Sequence, residues 1–201
     1  MTIVIAIIGV PGAGKTTLAN CLACQLGGPP VVSTDLIRTC ALSMGVSDPW
    51  LDHVSHHAWK LLGECTPANV LNGYRLHARA VMRATQEVLR SLTVSYRLVL
   101  VEGVHLTTES LDDLANLGHV IPVFLRCTDP DATYRRKARL RHPGGTSWSA
   151  SLEVIQLIQD YLISSLKDYS GVIRIPDGAT VSANARRVMR RVLRQRLSGN
   201  C

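Results

Sequence analysis

Residues 3–17 read Ile-Val-Ile-Ala-Ile-Ile-Gly-Val-Pro-Gly-Ala-Gly-Lys-Thr-Thr. An apolar, largely β-branched run stops at Gly9. Gly9, Gly14, Lys15 and Thr16 then satisfy the spacing G-x-x-x-x-G-K-[ST], with Gly12 as a further glycine inside the loop. A buried strand, a glycine turn and a helix start are the context in which this spacing has meaning. Glycines let the backbone wrap close to phosphate oxygens and aim several N–H groups at them, and the helix N-terminus adds its positive end. Gly9, Gly12, Ala13, Gly14, Lys15, Thr16 and Thr17 are therefore expected to bind a nucleoside triphosphate. Lys15 should reach the β- and γ-phosphates, and the Thr16 hydroxyl should hold Mg²⁺. ATP and Mg²⁺ are the cofactors this loop predicts.

The rest of the chain alternates strands with helices. A helix over about 14–26 and the turn Gly27-Gly28-Pro29-Pro30 lead to a short strand at Val31–Ser33 and a helix starting near Thr34. Ser47 or Asp48, followed by Pro49, is expected to cap another helix, with Leu51, Val54, Ala58, Leu61 and Leu62 at helical spacing and Gly63 as its stop. Thr66-Pro67 opens a long helix to about Leu92, with Val70, Leu71, Tyr74, Ala78, Val81, Met82 and Leu89 inward. Apolar strands follow at 97–103 and 120–127. A helix behind Asp129-Pro130-Asp131 carries a basic cluster, another spans 151–167, a fifth strand covers 172–175, and a last helix covers about 181–197. Its inward positions are Val181, Ala185, Val188, Val192 and Leu193. This alternation predicts an α/β fold: a P-loop NTPase with a five-stranded parallel sheet, helices on both faces, like the nucleoside monophosphate kinases. A single domain is expected over 1–201, with 45–96 as a helical insertion for the acceptor and 129–147 as a lid.

In open α/β sheets, ligands bind beyond the carboxyl ends of the strands. Thr16, Asp35 and Glu102 each follow or end such a strand and should converge. Glu102 reads as a Walker B-like carboxylate that holds a water bound to Mg²⁺. Asp35 reads as the group that contacts the acceptor hydroxyl, and Arg38, three residues on, shares its helix face and suits an anionic acceptor. His105, at the mouth of the third strand, is a candidate acceptor contact. Among the lid cations Arg135, Arg136, Lys137, Arg139 and Arg141, Arg136 and Arg139 are expected to serve catalysis. Arginines closing on a loose phosphoryl-transfer transition state stabilise the charge on its oxygens.

The remaining features are read conservatively. The net charge of +7 concentrates in the lid and in Arg186, Arg187, Arg190, Arg191, Arg194 and Arg196. The latter form the outer face of an amphipathic helix, and a solvated face is the simplest account. Aromatic content of 4% leaves little to stack bases, which argues against a polynucleotide or tRNA kinase. An antibiotic hydroxyl kinase and a non-catalytic nucleotide-binding module are two further readings of the same loop. The six cysteines are read as thiols in a reducing cytosol, and His53, His56 and His57 lack the acidic companions of a metal site. No run reaches membrane-span length, and Met1-Thr2 offers no basic region for a signal peptide, so a cytoplasmic protein is expected. The oligomeric state is left open.

Taken together, the loop 9–17, Ser33-Thr34-Asp35-Leu36-Ile37-Arg38, His57-Ala58-Trp59-Lys60 and Val101-Glu102-Gly103-Val104-His105-Leu106 resemble the 2-phosphoglycerate kinases. The match is in register over about the first half of the chain and looser through the lid. The resemblance implies transfer of the ATP γ-phosphoryl group to the free hydroxyl of 2-phosphoglycerate, giving 2,3-bisphosphoglycerate. It also implies Arg38, Lys60 and His105 around the acceptor's phosphate and carboxylate. Two departures stand out. The chain opens directly at its first strand, where archaeal members carry an N-terminal extension. In addition, Arg75, His77 and Arg79 make 72–80 unusually basic, which leaves room for another phosphorylated or acidic alcohol as the acceptor.

Overall fold

The computed structural model describes residues 2–129, 149–175 and 179–198. Its elements in chain order are β1 (Ile3–Ile8), α1 (Lys15–Gln25), β2 (Val31–Ser33), α2 (Thr34–Ser43), a 3₁₀ turn (Ala58–Leu61), α3 (Pro67–Ser95), β3 (Leu98–Gly103), α4 (Thr108–Ala115), β4 (His119–Leu125), α5 (Ser149–Ser165), β5 (Ile173–Ile175) and α6 (Val181–Ser198). The five strands pair in the order β2-β3-β1-β4-β5, and every pairing is parallel. Central β1 has all six residues buried because both of its faces are covered. Side chains alternate across a strand, so β1 feeds two cores. Ile3, Ile5 and Ile7 pack with Leu18 and Leu22 of α1 and with Ala185, Val188 and Val192 of α6. Val4, Ala6 and Ile8 join Val70, Tyr74, Leu111, Ile155 and Leu162 from α3, α4 and α5. Pro122 lies inside β4, but β5 pairs only with Val123, Phe124 and Leu125. Beside Pro122 that edge of β4 has no neighbour from β5, which is where a missing N–H costs least.

The long helix starts at its expected cap, with Thr66 Oγ1 accepting from Asn69 N at 3.2 Å. Of its expected inward residues, Val70, Tyr74, Ala78, Val81, Met82 and Leu89 are buried, and Leu71 is only half-buried. Gly73 is needed where α3 crosses the 3₁₀ turn, since a Cβ there would stand 2.7 Å from Trp59 N.

The helix expected from Ser47 or Asp48 to Leu62 does not form. Residues 49–57 are turns and bends, and only 58–61 coil, as the 3₁₀ turn. Leu51 and Ala58 are buried, but Val54, Leu61 and Leu62 are exposed. Asp48 caps Trp50 N locally through Oδ1, at 3.0 Å. The carbonyls of Trp50 and Leu51, which a helix would spend on its own N–H groups, contact His77 Nδ1 at 2.6 Å and accept from Arg38 Nη1 at 2.7 Å. The intervening Asp-His-Val-Ser-His-His run is a poor helix former, so these tertiary bonds prevail. Helix α4 is an addition to the expected elements. Its sign is Thr107, which forms a capping box with Ser110. In α6 the stripe Ala185, Val188 and Val192 is buried as expected, whereas Val181 and Leu193 are exposed. Residues 130–147 of the expected lid, with Arg135, Arg136, Lys137, Arg139 and Arg141, lie outside the described residues. No helix among the described residues is long and apolar enough to cross a membrane.

The first residue of α2 lies so close to the end of β3 that a side chain at position 103 finds no room unless Thr34 shifts. A Cβ on Gly103 would sit 1.7 Å from Thr34 Oγ1. Gly103→Ala is expected to destabilise the fold by about 1–3 kcal/mol, as overpacking does in a filled core. The melting temperature should fall by roughly 2–4 °C for each kcal/mol. Unchanged thermal unfolding would show that Thr34 moves aside without cost.

Candidate active site

The glycine loop between β1 and α1 has the backbone its sequence requires. Gly12 and Gly14 have φ of 97° and 89°, a region that residues with a Cβ rarely enter. At Gly9 the constraint is approach, because a Cβ would lie 2.6 Å from Leu125 O. The loop turns on Ala13 N→Val10 O at 3.2 Å. Lys15, the first residue of α1, is buried, and its Nζ donates to Val10 O at 3.1 Å. Its ammonium thus lies over the loop that the sequence assigns to phosphates. Thr16 and Thr17 are exposed beside it.

The sheet brings Glu102 to this loop. Glu102 pairs with Ile7 of β1 and with Ser33 of β2, and Thr16 Oγ1 donates to Glu102 Oε1 at 3.1 Å. Residues 86 apart in sequence therefore present a hydroxyl and a carboxylate together. Oxygen donors of this kind are what Mg²⁺ prefers, so the residues present fit the ion. Among the described residues, no group of three or more His, Cys, Asp or Glu side chains is placed to hold a metal.

On the other side of β3, α2 begins at Thr34. Asp35 stands in its first turn with a side chain 66% exposed, which leaves it accessible to a ligand. One turn later the half-buried Arg38 spends Nη1 on Leu51 O, while its Nε is buried with no hydrogen-bond partner among the described residues. Lys60 is exposed on the 3₁₀ turn, and no contact among the described residues ties it to Asp35 or Arg38. It lies near His56 and His57. The His56 imidazole is driven down to about 4 by burial, with the charges of His57, His77 and Lys60 adding to it.

His105 is not at the surface. It is fully buried, with Nδ1 2.7 Å from Thr34 Oγ1, Nε2 3.0 Å from His77 Nε2, and the same Nε2 4.0 Å from Asp35 Oδ1. Both ring nitrogens already have protein neighbours, so His105 stands behind Asp35 rather than in the open. Burial first, then the charges of His77, Lys15 and Arg38, push its imidazole well below its usual value. Thr34 and His77 are members of this cluster to which the sequence pattern assigns no role. The available sign is a histidine on the inward stripe of α3, between Tyr74 and Ala78. Tyr74 completes the wall, donating from its hydroxyl to Val104 O at 2.6 Å.

The strand order, the glycine loop and the Thr16–Glu102 contact define a P-loop kinase fold of the shikimate and gluconate kinase type. A shikimate kinase from Acinetobacter baumannii superposes with a TM-score of 0.55 at 20% identity, covering 99% of this chain and 95% of that one. A gluconokinase from Sinorhizobium meliloti does so with a TM-score of 0.53 at 16% identity, covering 95% of each. In sequence the chain is similar to the 2-phosphoglycerate kinases. It is 30% identical to that of Methanocaldococcus jannaschii over 172 residues, covering 82% of this chain and 55% of the relative. It is also 25% identical to the mevalonate-3-phosphate 5-kinase of Thermoplasma acidophilum, covering 76% of this chain and 78% of that one. The chain thus spans about half the length of the 2-phosphoglycerate kinases it matches. No protein-family model matches it.

Proposed function

We propose that this protein is an ATP-dependent kinase that transfers the γ-phosphoryl group to a hydroxyl of a small anionic alcohol, with 2-phosphoglycerate as the favoured acceptor and 2,3-bisphosphoglycerate as product. The observation that carries the reading is the 3.1 Å contact from Thr16 to Glu102 at a glycine loop. It sets two oxygen donors of the kind Mg²⁺ prefers beside the loop proposed to bind phosphates. Mg²⁺ held there would neutralise charge on the β- and γ-phosphate oxygens. Lys15 would leave Val10 O for the phosphates. Asp35 Oδ1 or Oδ2 would orient the acceptor hydroxyl and take its proton, and the Arg38 guanidinium, three residues on in the same helix, would bind the acceptor's phosphate or carboxylate. Arg136 and Arg139 are the proposed lid cations. Lys60 is the proposed outer cation of the acceptor pocket within 45–96.

The acceptor's second charge is the part most open to test. A phosphorylated acid approaching a triphosphate brings strong like-charge repulsion, and Arg38 is the cation beside Asp35 that can outweigh it. A second reading has one observation behind it. The mevalonate-3-phosphate 5-kinase is matched over 78% of its own length, well above the share of the phosphoglycerate kinase. A longer phosphorylated hydroxy acid is therefore the alternative acceptor. ADP release should be followed with 2-phosphoglycerate, glycerate and mevalonate 3-phosphate. We expect kcat/KM to favour 2-phosphoglycerate over glycerate. Arg38→Ala should narrow that ratio at least ten-fold, since removing a charged contact from a closed site costs roughly 2–5 kcal/mol. An unchanged ratio removes Arg38 from the acceptor site, and preference for mevalonate 3-phosphate selects the second reading.

A further inference from the structure

Behind Asp35, side chains from α2, α3 and the β3–α4 turn form a single hydrogen-bonded line. It runs from Trp50 O to His77 Nδ1 (2.6 Å), from His77 Nε2 to His105 Nε2 (3.0 Å), and from His105 Nδ1 to Thr34 Oγ1 (2.7 Å). Both imidazoles are fully buried. The line can be read in one direction when both rings are neutral. A carbonyl oxygen only accepts, so His77 must carry its proton on Nδ1, which leaves Nε2 a lone pair. His105 must then donate from Nε2, its own Nδ1 is a lone pair, and the Thr34 hydroxyl donates to it. Each donor in the line has one acceptor, and none is left over. Neutrality is what the surroundings favour. Burial lowers both rings; at His77 it outweighs the Trp50 carbonyl and Asp35, which raise the imidazole, while Arg38 opposes a second proton on either ring and His77 and Lys15 add to this at His105.

The consequence falls on Asp35. His105 Nε2 also lies 4.0 Å from Asp35 Oδ1. With the proton on Nε2 that N–H is donated to His77 Nε2, and its partial positive charge sits beside the carboxylate. In the other tautomer the same atom would bring a lone pair there. We propose that His105 is a positioning residue for Asp35, and that His77, through its bond to the Trp50 carbonyl, fixes the His105 tautomer that makes this so. The inference rests on the reading of Asp35 as the carboxylate on the acceptor side. It adds a link from the 48–57 segment to the site of proton transfer, because the bond that sets the whole line begins on Trp50. At the far end, the Thr34 hydroxyl is committed to His105 while its Oγ1 packs against Gly103. The start of α2 is therefore fixed in both direction and depth relative to β3.

The test compares His77→Leu, which removes the acceptor for His105 Nε2–H, with His77→Gln, whose side-chain oxygen can replace it. In protein labelled with ¹⁵N at histidine, the wild-type imidazole shifts of His105 should report the Nε2–H tautomer at neutral pH. That signature should be lost in H77L and kept in H77Q. In turnover with the acceptor, H77L should lower kcat about 10–100-fold, in the range that misplacing a reacting group costs, with the KM for ATP nearly unchanged. H77Q should recover most of the loss, which a mere packing role would not give. Should H77L fail to fold, Thr34→Val removes the donor at the other end at similar volume, and kcat should fall about ten-fold in the same manner. A wild-type His105 that is Nδ1–H or doubly protonated overturns the proposal, as does an unchanged kcat in a folded H77L or Thr34→Val. The tautomer measurement does not need turnover. If wild type phosphorylates no acceptor, the kinase reading fails and the positioning role fails with it. If wild type is active and the variants behave like it, only the positioning role fails.

Discussion

Lys15→Ala is expected to abolish measurable phosphoryl transfer and to weaken ATP binding while the protein still folds. The side chain is buried, yet it is not part of either apolar core, and its Nζ donates to Val10 O within the loop. That bond is exchangeable. An ammonium resting on a carbonyl beside a glycine turn can pass to phosphate oxygens with a gain in charge complementarity. Truncation to Ala leaves Gly12, Gly14 and the start of α1 unchanged, so part of the backbone contribution to phosphate binding should survive. The loss should therefore be greatest where charge builds up in the transition state, on the order of 10³-fold or more in kcat. ATP titration, ADP release and circular dichroism on the same preparation give the answer. Wild-type turnover in that variant would sink the assignment of the loop.

The second large effect belongs to Asp35. Asp35→Asn keeps the shape and the hydrogen-bonding reach of the side chain but removes its charge and its capacity to take a proton. General-base catalysis contributes typically about 10²–10⁴-fold, and kcat should fall by that amount while ATP affinity changes little. The separation follows from the geometry. Asp35 stands in the first turn of α2, across β3 from Thr16, whereas the loop proposed to hold the nucleotide precedes α1 and the proposed metal ligand Glu102 contacts Thr16. A kcat within a few-fold of wild type would make Asp35 a helix-terminal acid, favourable to the dipole of α2 and nothing more.

How much of this is legible in the sequence depends on how local the cause is. Strand β1, the glycine loop and α1 are set by a continuous apolar run and fixed spacing, and they appear where expected. The Thr66 cap is equally local. Glu102 is reached through a rule about strand ends, since nothing near it in sequence points to Thr16. The segment after Pro49 departs from expectation for the opposite reason. Its spacing is helical, but Arg38 and His77, remote in sequence, take the carbonyls a helix would need. His105 lies at the expected strand end but beneath the surface instead of on it. Position 105 faces inward because Val104 and Leu106 pack in the same core while Thr34 and His77 offer its nitrogens partners. No pattern along the chain displays such a pairing. Arg186, Arg187, Arg190, Arg191 and Arg194 of α6 are exposed as their spacing implies, and Arg187 also donates to Arg174 O, tying the helix to β5.

The carbonyls of Trp50 and Leu51 have a further implication. Irregular backbone normally keeps its shape through bonds to itself or to water, and it can then shift without consulting its neighbours. Here the shape is borrowed. His77 and Arg38 hold those oxygens from two helices, and His77 is itself fully buried. Displacing the segment alone would leave a buried imidazole N–H and a guanidinium without acceptors, a penalty of about 1–3 kcal/mol for each. The segment, the Arg38 turn of α2 and the His77 turn of α3 therefore behave mechanically as one body. A residue exchanged on its outward side, such as Val54, can alter what the surface presents without disturbing that body, whereas a change of backbone path at 50–51 would be felt at Asp35.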